Sequence, residues 1–231
     1  MHALSLPLRQ GLDALGLHIE EHQQSQLLSY MDLMGKWTRV YNLTAVRDPQ
    51  EMLTHHLLDS LSVVLPLRRQ LAQLRSARLV KPQDGQNADV LQKPFTLLDV
   101  GSGAGLPGVV IAITCPEIQV TCLDAVAKKV AFIQQAAATS LKLSNLTGLH
   151  ARIETVTMPF DIISSRAFAS LSDFVNGSNK ALGAGGIWMA MKGKNPEEEL
   201  LALPGFAKVF HVEQLQVPGL DAQRCLVWMR G

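Results

Sequence analysis

Residues 99–108 read DVGSGAGLPG, and they stand between the short apolar run Thr96-Leu97-Leu98 and the longer one Val109–Ile113. A strand, a turn of closely spaced glycines and a helix are predicted in that order. Gly101, Gly103 and Gly105 permit positive φ and allow the backbone to approach a ligand that a Cβ would block, while N–H groups at the helix start can meet an acidic group. This unit opens an α/β sheet whose ligand lies at the carboxyl ends of the strands.

The rest of the chain agrees with that beginning. Apolar runs at Ile118–Leu123, Leu146–Leu149, Asp161–Ser164 and Gly186–Met191 alternate with helical stretches, which predicts a doubly wound, mostly parallel sheet covered on both faces. Lys208–Val217 and Cys225–Met229 flank a turn containing Pro218 and Gly219, so the final strand is expected to run antiparallel. From Leu4 to about Leu65 the spacing is helical, with Leu27, Leu28, Met31, Met34 and Trp37 as its clearest stripe. A fresh helix is announced by Asp48 as cap, Pro49 at the first position and Glu51, and is expected to reach about Leu65. Ser76–Lys93 lacks periodicity. The expected division is a helical extension over 1–75, a linker or surface loop over 76–94, and an α/β domain over 95–231.

Gly103, Gly105 and Gly108 also satisfy the spacing of a dinucleotide-binding turn, with Asp124 about twenty residues on to hold ribose hydroxyls. Asp99, two residues before Gly101, separates the candidates. A carboxylate there repels a pyrophosphate, whereas the amino group and sulfonium of S-adenosylmethionine carry positive charge. A methyltransferase is therefore favoured over a dehydrogenase. Topology adds the backbone of Ile153 and Glu154, after the third strand, near the adenine edge, and Ser164–Arg166, after the fourth, where the transferred methyl lies.

The formal net charge of +1 argues against a protein that coats nucleic acid indiscriminately. Lys36, Arg39, Arg47, Arg68, Arg69, Arg75, Arg78 and Lys81 nevertheless outnumber Asp48, Glu51 and Asp59 by five within one stretch, a candidate RNA-facing surface or else a set of solvated helix faces. Cys115, Cys122 and Cys225 are too few and scattered for a disulfide framework or zinc site and read as buried small residues. No apolar run of membrane-spanning length and no basic-then-apolar leader occurs, so a soluble cytoplasmic protein, expected to be a monomer without metal, is the reading.

Several further strings carry a resemblance: Trp37 with Tyr41-Asn42-Leu43-Thr44, Arg47-Asp48-Pro49, His56 with Asp59-Ser60, Leu123-Asp124 with Lys128-Lys129, Arg152–Glu154, Ser165–Leu171 and Met191-Lys192-Gly193. With the glycine turn they make the chain resemble, over nearly its whole length, the RsmG (GidB) family of methyltransferases. The resemblance implies a Rossmann-like class I methyltransferase fold that transfers a methyl from S-adenosylmethionine to N7 of a guanine in 16S small-subunit ribosomal RNA, either naked or within the subunit. It implies cofactor contacts at Gly101, Leu106, Ile153, Glu154 and Arg166, beside Asp99, Gly103 and Asp124 from the residues themselves. It also implies that Asn42, Arg152, Arg166 and Lys192 line the catalytic or RNA-facing side. The chain departs from the pattern in the long stretch between Leu65 and Thr96 and at His55, a place often taken by Arg.

Guanine N7 carries an in-plane lone pair and no proton, so direct attack needs alignment rather than a general base. Arg166 suits guanine's acceptor edge at O6. His55 and Asp59, four apart, open a metal or acid–base alternative, against a role in binding the N-terminal helices to the α/β domain or touching RNA. Trp37 and Tyr41 read either as helix-packing aromatics or as base-stacking ones. Other outcomes kept open are the same fold acting on another RNA site or a small molecule, and a ribosome-binding assembly factor.

Overall fold

A computed structural model describes residues 2–80, 93–136, 140–166, 168 and 170–231. Five parallel strands, β1 (Phe95–Val100), β2 (Ile118–Asp124), β3 (Leu146–His150), β4 (Phe160–Ser165) and β5 (Leu182–Lys192), join β6 (Lys208–Leu215) and β7 (Arg224–Arg230) in one seven-stranded sheet. The order is β3-β2-β1-β4-β5-β7-β6, and β7 runs antiparallel to both neighbours. The chain leaves β1 toward β2 on one side and returns as β4 on the other, where Leu97–Asp99 pair with Ile162–Ser164. That reversal opens a crevice at the carboxyl ends of β1 and β4.

Side chains alternate across the sheet as a two-residue period requires. Leu97, Ile162, Ile187, Met189, Leu226 and Trp228 belong to one core, whereas Leu98, Ile163, Trp188, Ala190, Val227 and Met229 belong to the other. Helix α8 (Leu171–Ser178) covers the second face through Leu171, Phe174 and Val175. The first face is covered by α6 (Gly108–Thr114) and α7 (Ala127–Gln135) together with the N-terminal helices. Leu8, Leu27, Met34, Leu57 and Leu67 share one core with Val109 and Trp228, so the helical extension is a layer of the fold and not an appendage.

Within that layer, α1 (Ser5–Ala14) and α2 (Glu21–Tyr41) are followed by α3 (Pro49–Met52), which begins as expected: Asp48 Oδ1 accepts from the N–H groups of Gln50 and Glu51 at 2.9 and 3.0 Å. The helix does not then run evenly to Leu65. It widens into a π-helical segment at Leu53–Leu58, closes through α4 (Asp59–Leu61) and restarts as α5 (Val64–Val80). The wide turn lies against α1, where Gly11 leaves room for Leu58; a Cβ on Gly11 would come within 2.5 Å of Leu58 Cδ2.

Helix α5 also outlasts its expected boundary at 75. Its last turns lack an apolar stripe and are held by tertiary contacts instead: Arg78 lies over the Phe95 ring at 3.9 Å and pairs with Asp161. The expected linker therefore loses 76–80 to helix, and its residues 81–92 lie outside the described residues.

The same contacts narrow the candidate RNA-facing charge. Arg68 donates to the Thr114 carbonyl, Arg69 pairs with Glu213, and Arg75 and Arg78 stack on Phe95 at the amino edge of the sheet, opposite the glycine turn. Lys81 lies outside the described residues. Lys36, Arg39 and Arg47 remain exposed.

Candidate active site

The turn after β1 is built around Asp99. This residue lies on the Leu97 face of β1 and has no exposed surface; Oδ2 accepts from Gly108 N–H at 2.9 Å and Oδ1 from the Ser164 hydroxyl at 2.9 Å. It therefore fixes the turn from below and joins it to β4, near enough to Arg166 and Asp124 to feel their charge. Burial pushes its carboxyl up to about 6 against the two hydrogen bonds, which pull the other way.

Gly101, Gly103 and Gly105 have φ of +67°, +61° and +91°. A Cβ added to Gly101 or Gly103 would meet nothing within 4 Å, so these two present bare backbone to open space. Gly108 is different: its absent Cβ would lie 2.4 Å from Cys122 Sγ, so glycine here lets α6 close onto β2. Leu106 is buried and its N–H bonds the Ser102 carbonyl at 3.0 Å.

From α2, Tyr30 reaches into this turn. Its buried hydroxyl donates to the Ala104 carbonyl at 2.5 Å, and burial holds its pKa well above the ordinary value, so it stays a donor. Sequence reasoning missed Tyr30; the available signal was a phenol within an apolar helical stripe, whose O–H must find an acceptor.

Asp124 ends β2 beside Gly103. Its Oδ2 accepts from Gly103 N–H at 3.0 Å, its Oδ1 from Val126 N–H at 2.8 Å, and Lys129 Nζ stands 3.7 Å away. After β3, Arg152 and Glu154 are exposed and Ile153 is buried, at the start of a single 3₁₀ turn over Ile153–Thr155. Gly101, Gly103, Asp124 and the 153–154 backbone thus follow successive strands β1, β2 and β3 along one edge.

The other half of the crevice is polar. At the end of β4, Arg166 Nη1 donates to the His55 carbonyl and to Asp59 Oδ2, both at 3.2 Å. Arg224, at the start of β7, donates through Nε to Asp59 Oδ1 at 2.8 Å. A carboxylate 3% exposed thus holds two arginines, each about a quarter exposed, and ties α4 to β4 and β7. These contacts give Asp59 the helix-binding role rather than the metal one. Among the described residues no group of three or more His, Cys, Asp or Glu could hold a metal ion, and no helix is long and apolar enough to cross a membrane.

Lys192, ending β5, pairs with Glu199 of α9 (Glu197–Leu201) at 2.8 Å, and Glu199 also accepts from Leu171 N–H at the start of α8. Lys192, Lys194, Glu199 and Arg224 line a crevice of about 490 Å³. Arg224 and Glu199 were not anticipated. Their signal is weak, since a charge flanking a strand or in a short helix is common, and only the folded chain brings Arg224 to Asp59, the partner of Arg166, and Glu199 to Lys192. Asn42 is the left-handed C-cap of α2, and its side chain accepts from Arg47 at 3.2 Å; it stands on the helical layer, apart from the contacts of Arg166 with Asp59 and of Lys192 with Glu199.

All three cysteines are free and buried, and burial pushes the Cys122 thiol well up, which removes it as a nucleophile. What remains is an open, glycine-floored cradle with an acid on the next strand, next to a crevice walled by paired charges. Bare backbone at Gly101 and Gly103 and the Asp124 carboxylate fit a nucleoside cofactor.

Comparison with known proteins agrees. The family model described as "GidB: rRNA small subunit methyltransferase G" matches residues 23–74 and 85–227. "Ribosomal RNA small subunit methyltransferase G" of Polaromonas sp. (strain JS666 / ATCC BAA-500) is 64% identical over 223 residues, covering 96% of this chain and 92% of that protein. The protein of the same name from Albidiferax ferrireducens is 62% identical over 230 residues, 100% of this chain and 98% of its own length. Matches of that identity over complete folds leave one assignment: the chain belongs to the rRNA small subunit methyltransferase G family.

Proposed function

We propose that this protein transfers a methyl group from S-adenosylmethionine to N7 of one guanine in 16S small-subunit ribosomal RNA, acting as a cytoplasmic monomer. The observation that carries the reading is the open backbone at Gly101 and Gly103 beside Asp124, set against the Asp59–Arg166–Arg224 junction at the same edge of the sheet. The cofactor supplies an electrophilic methyl on a sulfonium centre.

The chain's own residues do the rest. The N–H groups of the turn and the Asp124 carboxylate bind the cofactor's polar groups, and the Ile153–Glu154 backbone borders the base. Arg166, held through Nη1, presents its remaining donors to guanine O6 and leaves N7 free to attack. No side chain has to remove a proton, because N7 carries none. Attack leaves a positive charge on the base, and the carboxylates of Asp59 and Glu199 limit the repulsion it meets by offsetting part of the charge on Arg166, Arg224 and Lys192. To the exposed Arg152 and to Asn42 we assign contacts with the RNA around the site.

The reading is tested by incubating the protein with labelled S-adenosylmethionine and small subunits that lack the modification. Label is expected in the RNA at one methyl per subunit, and Arg166→Ala is expected to lose at least tenfold in kcat/KM. Cofactor binding without label in any RNA would overturn it in favour of a small-molecule substrate or an assembly role.

A further inference from the structure

We propose that the groove between residues 2–4, α2 and α3 is a docking pocket for one unpaired nucleotide of the RNA chain, distinct from the crevice where the methyl is transferred. The inference rests on the RNA reading above and names a second contact of the same substrate. The groove has a volume of about 600 Å³ and an apolar floor that includes Met31 and Met52, both nearly fully buried. Volumes of this order take a single drug-sized or nucleotide-sized ligand, and thioether side chains adapt to flat aromatic faces.

Two features give it polar specificity. Thr38 lines the groove, is 2% exposed, and its hydroxyl has no hydrogen-bond partner. Buried hydroxyls in folded proteins are nearly always paired, so this one, on a residue of the groove's lining, still has a hydrogen bond to give. Lys36, Arg39 and Arg47 line the groove and are exposed, whereas the acid among the lining residues, Asp32, is already engaged by His2 at 3.2 Å.

Charge and shape together point to RNA. Among the described residues of the basic stretch, Arg68, Arg69 and Arg78 are bonded within the fold and Arg75 lies over Phe95, whereas Lys36, Arg39 and Arg47 come together at this groove. Lys36 and Arg39 stand one helical turn apart on α2, with Arg47 on the connection to α3, a spread that suits phosphates on both sides of an inserted base. A groove of this size suits a base presented from a single-stranded stretch, which is how RNA sequence is commonly read. Arg47 also links the rim to Asn42 through its 3.2 Å hydrogen bond.

The test uses the full chain with ¹³C-methyl-labelled methionines, titrated with a short single-stranded RNA of ribosomal sequence and, separately, with uridine 5′-monophosphate. The RNA is expected to shift the Met31 and Met52 methyl signals. Arg39→Glu and Lys36→Glu are each expected to weaken that binding about tenfold and to lower the log–log salt slope by about one, while cofactor affinity stays at the wild-type value. Thr38→Val is expected to weaken the RNA complex without changing the salt slope. The KM for small subunits should rise in parallel with the charge reversals. No methionine shift with RNA, or unchanged affinity in both charge reversals, overturns the proposal. Shifts with the free nucleotide but not with RNA overturn it in favour of a small-nucleotide site. Because the methionine signals do not depend on methyl transfer, a wild-type chain that bound RNA in the groove but methylated no ribosomal RNA would sink the proposed function and leave the groove assignment standing.

Discussion

Gly101 and Gly108 stand seven residues apart in one turn, yet a methyl group on each meets opposite circumstances. Gly101→Ala places Cβ in open space at φ +67°, so the strain of about 1–2 kcal/mol is the smaller effect. The larger one is on the cofactor, whose dissociation constant is expected to rise roughly tenfold or more, or about 1.4 kcal/mol, measured by isothermal titration. Gly108→Ala drives Cβ into Cys122 Sγ and Asp99 within a packed interior, which should cost about 1–3 kcal/mol of stability. Part of that loss should return in the double variant with Cys122→Ala, followed by thermal unfolding. Asp99 supplies a pH signature. Its folded value of about 6 lies above the ordinary one, so its contribution to stability is complete below about pH 4 and is lost as pH rises through about 6. Urea unfolding between pH 4 and 7 should show that decline in the wild type and a flatter curve in Asp99→Asn. The glycine spacing was legible because it reflects backbone geometry alone. The burial of Asp99 was not, because which face of β1 it occupies depends on how the sheet is covered.

At the scale of elements, strands were read closely and helices less so. Each of the seven strands lies within a few residues of its apolar run: the inner ones, buried on both faces, leave a contiguous signal, and the half-exposed edge strands β3 and β6 follow from their place in the pattern. The π-helical segment at Leu53–Leu58 leaves none, because it arises from the fit of Leu58 against Gly11 and from the aim of Asp59 at two arginines on distant strands. Asp59→Ala removes the shared partner of Arg166 and Arg224. Breaking a buried pair costs about 3–5 kcal/mol, and the lower end is expected because both arginines keep about a quarter of their surface. Asp59→Asn, which keeps the size and one acceptor, should recover much of the unfolding temperature but little of the methyl-transfer rate. Full transfer in Asp59→Asn would show that Arg166 does not depend on this carboxylate. Tyr30→Phe is a milder case, expected to cost about 1 kcal/mol through loss of the Ala104 contact.

For the whole molecule, the helical content of the first part of the chain was evident from its spacing, but its integration with the sheet was not. Periodicity reports that a helix has an apolar face and is silent on what that face covers. Here it covers, with α6 and α7, one side of the sheet, so a chain reduced to 63–231 strips partners from the core that holds Leu97, Met189, Leu226 and Trp228. Such a truncation is expected to lose cooperative unfolding, followed by circular dichroism; a sharp transition near the full-length midpoint would contradict the shared core. The candidate edge was half legible in the same way. Asp124 and Arg166 follow strand ends and were found by topology and Lys192 by the family resemblance, whereas Asp59, Arg224 and Glu199 join them only through the folded order of strands and helices. The central claim is that this edge directs a methyl group to N7 of one guanine in small-subunit RNA. Borohydride reduction and aniline cleavage break RNA at 7-methylguanine, so treated subunits should show one new scission, dependent on the protein and on S-adenosylmethionine and absent with Arg166→Ala. A methylated RNA that resists this cleavage would contradict it.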